Sequence, residues 1–192
     1  MNNRNKLIAG CGVLIAASVI LQYIEFGVPI VPSFLKFDFS DLPALIGSFA
    51  YGPIAGILIC LLKNIIHLAV SQSGFVGELS NFILGAIFVG IAGLIYSKKK
   101  TKKNAIIACI IGSLVMAIIS VPSNYFIVYP LYYNVLNFPQ EAILGMYQLI
   151  LPSTKNILEA LIIFNLPFTL IKGLIDSLIC VLIYKPLRKY LK

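Results

Sequence analysis

A few polar and charged side chains sit inside segments otherwise too apolar for water, and their types and spacing bound the chemistry open to this chain. Lys63, Asn64 and His67 fall in one such segment and Glu78 and Asn81 open the next, while Asn124 comes late in another and Asn165, Thr169, Lys172 and Asp176 share the last. A polar group inside a membrane span is costly and faces the bundle interior or a cavity, which makes each of these a site candidate. Asn165 and Thr169 stand four residues apart, and Thr169 and Lys172 three, so all three lie along one helix face. That face is either a polar stripe toward a ligand or a set of interhelical hydrogen bonds, with Lys172 paired to Asp176 one turn on. Asn124 follows Pro122 in SVPSNYFIVYPLYY. An amide both donates and accepts, which suits a heterocycle edge of alternating carbonyl and imide groups. Tyr125, Tyr129, Tyr132 and Tyr133 read as an interfacial belt with at most one ring on a ligand. Lys63 and His67 are an i, i+4 pair, and Glu78 is the expected neutralising partner of Lys63.

Catalysis is not among the readings these residues support. His67 is the single histidine, and no HExxH, GxSxG or paired-aspartate spacing occurs. Cys11, Cys60, Cys109 and Cys180 are isolated within apolar runs, without the spacing of disulfides or zinc ligands. No GxxxxGK[ST] loop is present to cradle nucleotide phosphates. We therefore expect a protein that is not an enzyme, with no catalytic residue, metal ligand or cofactor. An enzyme-class rival, a small intramembrane enzyme using Glu78, His67 and Lys63 as acid–base groups, lacks a nucleophile or metal to complete it.

The elements that must position these residues are apolar helices. Of the 192 residues 59% are hydrophobic and 11% charged, with a mean hydropathy of +0.96, which makes lipid the solvent for most of the chain. Apolar runs cover residues 7–24, 42–51, 53–70, 79–96, 105–129 and 157–184. The short second run is separated from the third by Gly52-Pro53, and proline is tolerated best at a helix start. Counting the two as separate passes puts Arg4, Lys6, the lysines of 98–103 and the basic residues of 185–192 on one side, in keeping with the positive-inside rule. The expected fold is thus an all-α integral membrane protein of six transmembrane helices, a single membrane domain over residues 1–192. Both termini are expected in the cytoplasm, and the loops at 25–41, 71–78 and 130–156 outside. The net charge of +8 comes from these flanks and points to no nucleic acid.

On the first run Ala9, Gly12 and Ala16 make a small-residue face that admits close approach of another helix, either inside the bundle or from a partner. Before the second run stands a charged, aromatic loop. The stretch PSFLKFDFSDLPALIGSFAYGPIAG, with GELSNFILG at 77–85, SNYF at 123–126 and PFTLIKG at 167–173, resembles the riboflavin-binding S component of energy-coupling factor (ECF) vitamin transporters.

That resemblance implies a bacterial cell-membrane protein that captures riboflavin from outside and works with a transmembrane coupling subunit and two ATPase subunits. By position it implies a ligand-capping loop at Leu35, Lys36, Phe37 and Asp38, a binding amide at Asn124, and a polar stripe at Thr169 and Lys172. Glu78, Asn81 and Asn165 complete the expected substrate site, and Ala9, Gly12 and Ala16 the expected coupling contacts. Phe34, Leu35 and Phe37 would cover the dimethylbenzene end of the flavin. The chain departs from the family pattern at Thr169, where an asparagine is expected, and Asn165 lies a turn earlier. The rival ligands are another vitamin or FMN on the same scaffold.

Overall fold

A computed structural model describes residues 3–191, with side chains described for 4–184, so the basic tail expected at the cytoplasmic surface, residues 185–192, lies outside the described side chains. Helix α1 (Asn3–Tyr23) leads through a two-stranded hairpin, β1 (Phe26–Gly27) and β2 (Lys36–Phe37), into α2 (Asp41–Tyr51) and α3 (Pro53–His67). A single 3-10 turn at Leu68–Val70 precedes α4 (Val76–Lys98), and α5 (Lys102–Ser123) runs on into α6 (Tyr129–Asn134). After α7 (Gln140–Gln148), the short α8 (Ile157–Ala160) continues into α9 (Leu166–Leu191).

Five stretches among the described residues are long and apolar enough to cross a membrane: Arg4–Tyr23, Pro53–Val70, Val76–Lys98, Lys102–Asn134 and Ile157–Tyr184. Helix α2 differs. Its 11 residues rise about 16 Å, half the thickness of a bilayer core, and every residue from Asp41 to Phe49 is buried. It is therefore a half-length element enclosed by longer ones. Its end is set by Gly52, whose φ of 105° a side chain rarely adopts, and Pro53 then occupies the first turn of α3, where its missing N–H costs nothing. The lysine-rich connection reverses the chain between α4 and α5, where the Thr101 hydroxyl caps α5 by accepting from the Asn104 N–H.

Chain direction gathers the hairpin, the residues around 68–75 and the α6–α8 region at one end of the bundle, while Gly52 and the lysine-rich connection lie at the other. Two apolar clusters follow the same division. One centres on α2, where Phe49 stacks on Tyr96 with ring centroids 4.3 Å apart and Tyr184 donates to the Phe49 carbonyl at 3.0 Å. Here Gly93 lets α4 press on α2 and α3, since a Cβ would meet the Ser48 hydroxyl at 2.0 Å and the Pro53 backbone at 3.1 Å. The second cluster holds Val31, Val76, Tyr129, Tyr147, Ile157 and Phe164 beneath the hairpin end.

Two π-helical turns interrupt the long helices, at Asn124–Val128 between α5 and α6 and at Leu161–Asn165 between α8 and α9. Each has a proline just beyond it, Pro130 and Pro167. A proline ring clashes with the carbonyl four residues back. Those carbonyls belong to Phe126 and Ile163, the middle residues of the two turns, so widening the turn to π geometry makes room for the ring.

Candidate functional site

The hairpin end holds a partly open cavity of 680 Å³, within the range of about 300–1,000 Å³ usual for small-molecule sites. Its wall takes Gln22 and Tyr23 from α1, Phe34, Leu35, Lys36 and Asp38 from the hairpin loop, Asp41 from α2 and His67 from α3. Glu78, Ser80 and Asn81 come from α4, Met116 from α5, Asn124 and Tyr129 from the first π turn and its exit, and Asn165, Phe168, Thr169 and Lys172 from the second π turn and α9. The sequence-predicted site residues thus converge on one cavity, with one exception. Phe37 is absent from its wall and instead lines a separate apolar groove beside Phe168, the two rings 6.0 Å apart. In an extended pair neighbouring side chains point to opposite faces, so Lys36 on the cavity sends Phe37 away from it. Phe34 and Leu35 cover the cavity in its place.

The floor is a buried ionic network. Lys172 donates to Asp38 Oδ2 at 2.8 Å and stands 3.7 Å from Asp41 Oδ2. Lys63, 0% exposed, donates to Asp41 Oδ1 at 2.6 Å and to the Ser40 hydroxyl at 2.5 Å. Asp38 Oδ1 accepts the Ser40 backbone N–H at 2.8 Å and the Ser40 hydroxyl. Burial alone would raise the Asp38 carboxyl, but the Lys172 and Lys63 ammonium groups and these hydrogen bonds hold it well below the usual carboxylate range. This pairing corrects one sequence expectation and decides one alternative the sequence left open. Lys63 pairs with Asp41 and not with Glu78, and Lys172 pairs with Asp38 and not with Asp176. The acidic partners come from the loop and the start of α2, which dip between α3 and α9 where no local spacing points. Asp176 is fully buried, and neither carboxyl oxygen has a hydrogen-bond partner among the described residues.

Glu78 pairs with His67, Oε1 to Nδ1 at 2.9 Å, and accepts from the hydroxyls of Ser71 at 2.8 Å and Ser73 at 3.1 Å. Asn124 accepts from the Ser80 hydroxyl at 3.2 Å, which leaves its N–H donors without a partner among the described residues. Asn165 is tied down: it accepts from the Tyr147 hydroxyl at 2.6 Å and donates to the Tyr129 hydroxyl at 3.4 Å, while the two tyrosine hydroxyls also bond to each other. Thr169, a turn further along, has no hydrogen-bond partner among the described residues. The expected tyrosine belt is reduced, since Tyr129 is buried and Tyr129 and Tyr132 line the cavity, whereas Tyr125 faces outward.

Tyr147 and Gln22 were not anticipated, whereas Phe34 lines the cavity as expected. Tyr147 carries no local signal, for α7 is a nine-residue helix too short to read as a span. Away from the cavity, Ala9, Gly12 and Ala16 are all exposed on α1, and a Cβ at Gly12 would meet nothing within 4 Å. The four cysteines are free, and no cluster of potential metal ligands occurs among the described residues.

Residues 6–184 match the family described as ECF transporter, substrate-specific component. The chain is 35% identical over 190 residues to the riboflavin transporter RibU of Staphylococcus aureus, covering 98% of this chain and 94% of that one. It is 28% identical over 190 residues to the riboflavin transporter FmnP of Bacillus subtilis, covering 97% and 94%. Among solved structures it superposes on that described in "Structure and mechanism of the S component of a bacterial ECF transporter" with a TM-score of 0.77 and 34% identity, each chain covered to 99%. With a ligand-sized cavity at one end of a helical membrane scaffold and a family match over nearly its whole length, the chain belongs to the substrate-specific components of ECF transporters, and is a transport protein and not an enzyme.

Proposed function

We propose that this chain captures riboflavin in the 680 Å³ cavity and hands it on through a transmembrane coupling subunit driven by two ATPase subunits. The observation that carries the reading is the set of unspent donors on the cavity wall. The Asn124 amide N–H groups and the Thr169 hydroxyl have no protein partner among the described residues, and both face the same space as Lys172. Such groups open on the cavity and are free to donate to a ligand that enters it. The pyrimidine edge of a flavin offers carbonyls to all three, and Phe34, Leu35 and Phe168 offer apolar cover for its other end. Thr169 takes the ligand-contacting role in preference to Asn165, whose oxygen is held by Tyr147.

In this reading the half-length α2 and α3 count as two passes, which gives six spans with both termini cytoplasmic and the hairpin loop as an outer cap. Ala9, Gly12 and Ala16 form the face that the coupling subunit meets. Titrating the detergent-purified chain with riboflavin tests the assignment. Flavin fluorescence is expected to quench with one-to-one saturation, and absence of saturable quenching, with another vitamin protecting against thermal unfolding, would overturn it.

A further inference from the structure

The cavity is not evenly charged. The charges of its two deep ammonium groups are already neutralised, Lys172 by Asp38 and Asp41, and Lys63 by Asp41 behind the wall, although Lys172 keeps N–H donors for a neutral ligand. The region between α1, α3 and the start of α4 is acidic. Glu78, buried in the first turn of α4, faces the cavity there together with Glu25, which has no ion-pair partner among the described residues. The groups that would otherwise receive an anion at this place are already turned toward Glu78, namely the Ser71 and Ser73 hydroxyls and the His67 ring. The opening of α4 adds its positive dipole end, and Glu78 satisfies that too. Lys36, on the exposed hairpin, is the remaining ammonium of the cavity lining and has no carboxylate partner among the described residues.

We propose that Glu78 is a specificity-determining residue: its carboxylate fills the place a phosphate would need, so the cavity accepts a neutral hydroxylated ligand and rejects the phosphate monoester of the same ligand. The inference rests on the riboflavin reading and deepens it. A hydroxyl chain can donate to a carboxylate whose lone pairs are not exhausted, since each oxygen accepts more than one hydrogen bond. A phosphate monoester is mostly doubly ionised at neutral pH, so it has few protons to donate and meets like charge from Glu78 and Glu25. Discrimination then comes from a built-in repulsion as much as from attraction to the accepted ligand.

The test compares riboflavin with FMN, its 5′-phosphate, by fluorescence quenching on the full chain and on Glu78→Ala and Glu78→Gln. Wild type is expected to bind FMN at least about tenfold more weakly than riboflavin, 1.4 kcal/mol. Glu78→Ala, which frees His67, Ser71 and Ser73 for an anion, should narrow that ratio by about tenfold or more. Glu78→Gln keeps the size and the serine contacts and should narrow it less, which keeps the inference testable if the alanine variant misfolds. Equal affinity of wild type for the two flavins, or an unchanged ratio in a folded variant that still binds riboflavin, overturns the proposal. If Lys36→Gln abolishes FMN binding while Glu78→Ala leaves the ratio alone, the phosphate lies at the hairpin and the proposal is wrong. Failure of wild type to bind riboflavin at all would instead sink the functional reading beneath it.

Discussion

Replacing Asp38 by asparagine isolates the strap that ties the hairpin loop to α9. The substitution keeps size and removes one negative charge from a network in which Lys63 and Lys172 share Asp38 and Asp41. Removing one member of a buried ion pair costs about 3–5 kcal/mol. Two features reduce this: the asparagine oxygen can still accept from Lys172, and Asp41 remains 3.7 Å from the same ammonium. We expect a loss of about 2 kcal/mol, which for a chain of this length lowers the unfolding midpoint by about 4–8 °C. Thermal unfolding in detergent, followed by a thiol-reactive dye that reports exposure of the buried cysteines, measures it. The decisive comparison adds Lys172→Met. Because that change removes the ammonium left stranded by Asp38→Asn, the double variant should be little worse than the single one. If the two losses add to within about 0.5 kcal/mol, the residues act independently and the strap does not exist.

The same strap predicts a pH dependence. Asp38 is held below its ordinary value of 3.8, so its contribution is present above that pH and lost as pH falls through the lower folded value. The stability gap between wild type and Asp38→Asn should therefore be flat from about pH 5 to 7 and shrink below pH 3.8, and a gap that widened in acid would contradict the assignment. Asn124→Ala and Thr169→Val should each weaken riboflavin binding by about 1–3 kcal/mol, with Lys155→Ala, outside the cavity, nearly silent in the same titration. Gly12→Leu or Ala16→Leu should abolish energised uptake and co-purification with the coupling subunit while the isolated chain still binds ligand. Loss of binding in a folded Gly12→Leu protein would place that face inside the bundle.

Much of the helical architecture was readable because apolar length and the Gly-Pro break are properties of contiguous sequence. The break at Gly52-Pro53 and the polar residues of the last span fell where expected, and Leu35, Asp38, Asn124, Thr169 and Lys172 do meet at one cavity. Charge pairing was not readable. Lys172 finds Asp38 across 134 residues and Lys63 finds Asp41 across 22, whereas sequence spacing favours partners one helical turn away. The direction of Phe37 depends on the register of a two-residue strand, which no periodicity announces. Asn165 looked like a ligand contact by helix face alone, but its partner Tyr147 sits on a helix that sequence pattern does not connect to it.

Each π turn carries a surplus residue, and in a helix that advances about 100° per residue a surplus is a change of phase. Asn124 opens one such turn and Asn165 closes the other. The aim of both amides is thus set by where the slip occurs along the helix. Side chains on either side of a slip keep their own packing while their azimuth relative to each other is reset. A scaffold built this way can be re-aimed by gaining or losing one residue inside a wide turn, leaving the core at the Gly52 end untouched. Divergence in ligand preference on this scaffold can therefore be written as single-residue insertions and deletions within spans, where changes of length are ordinarily least tolerated.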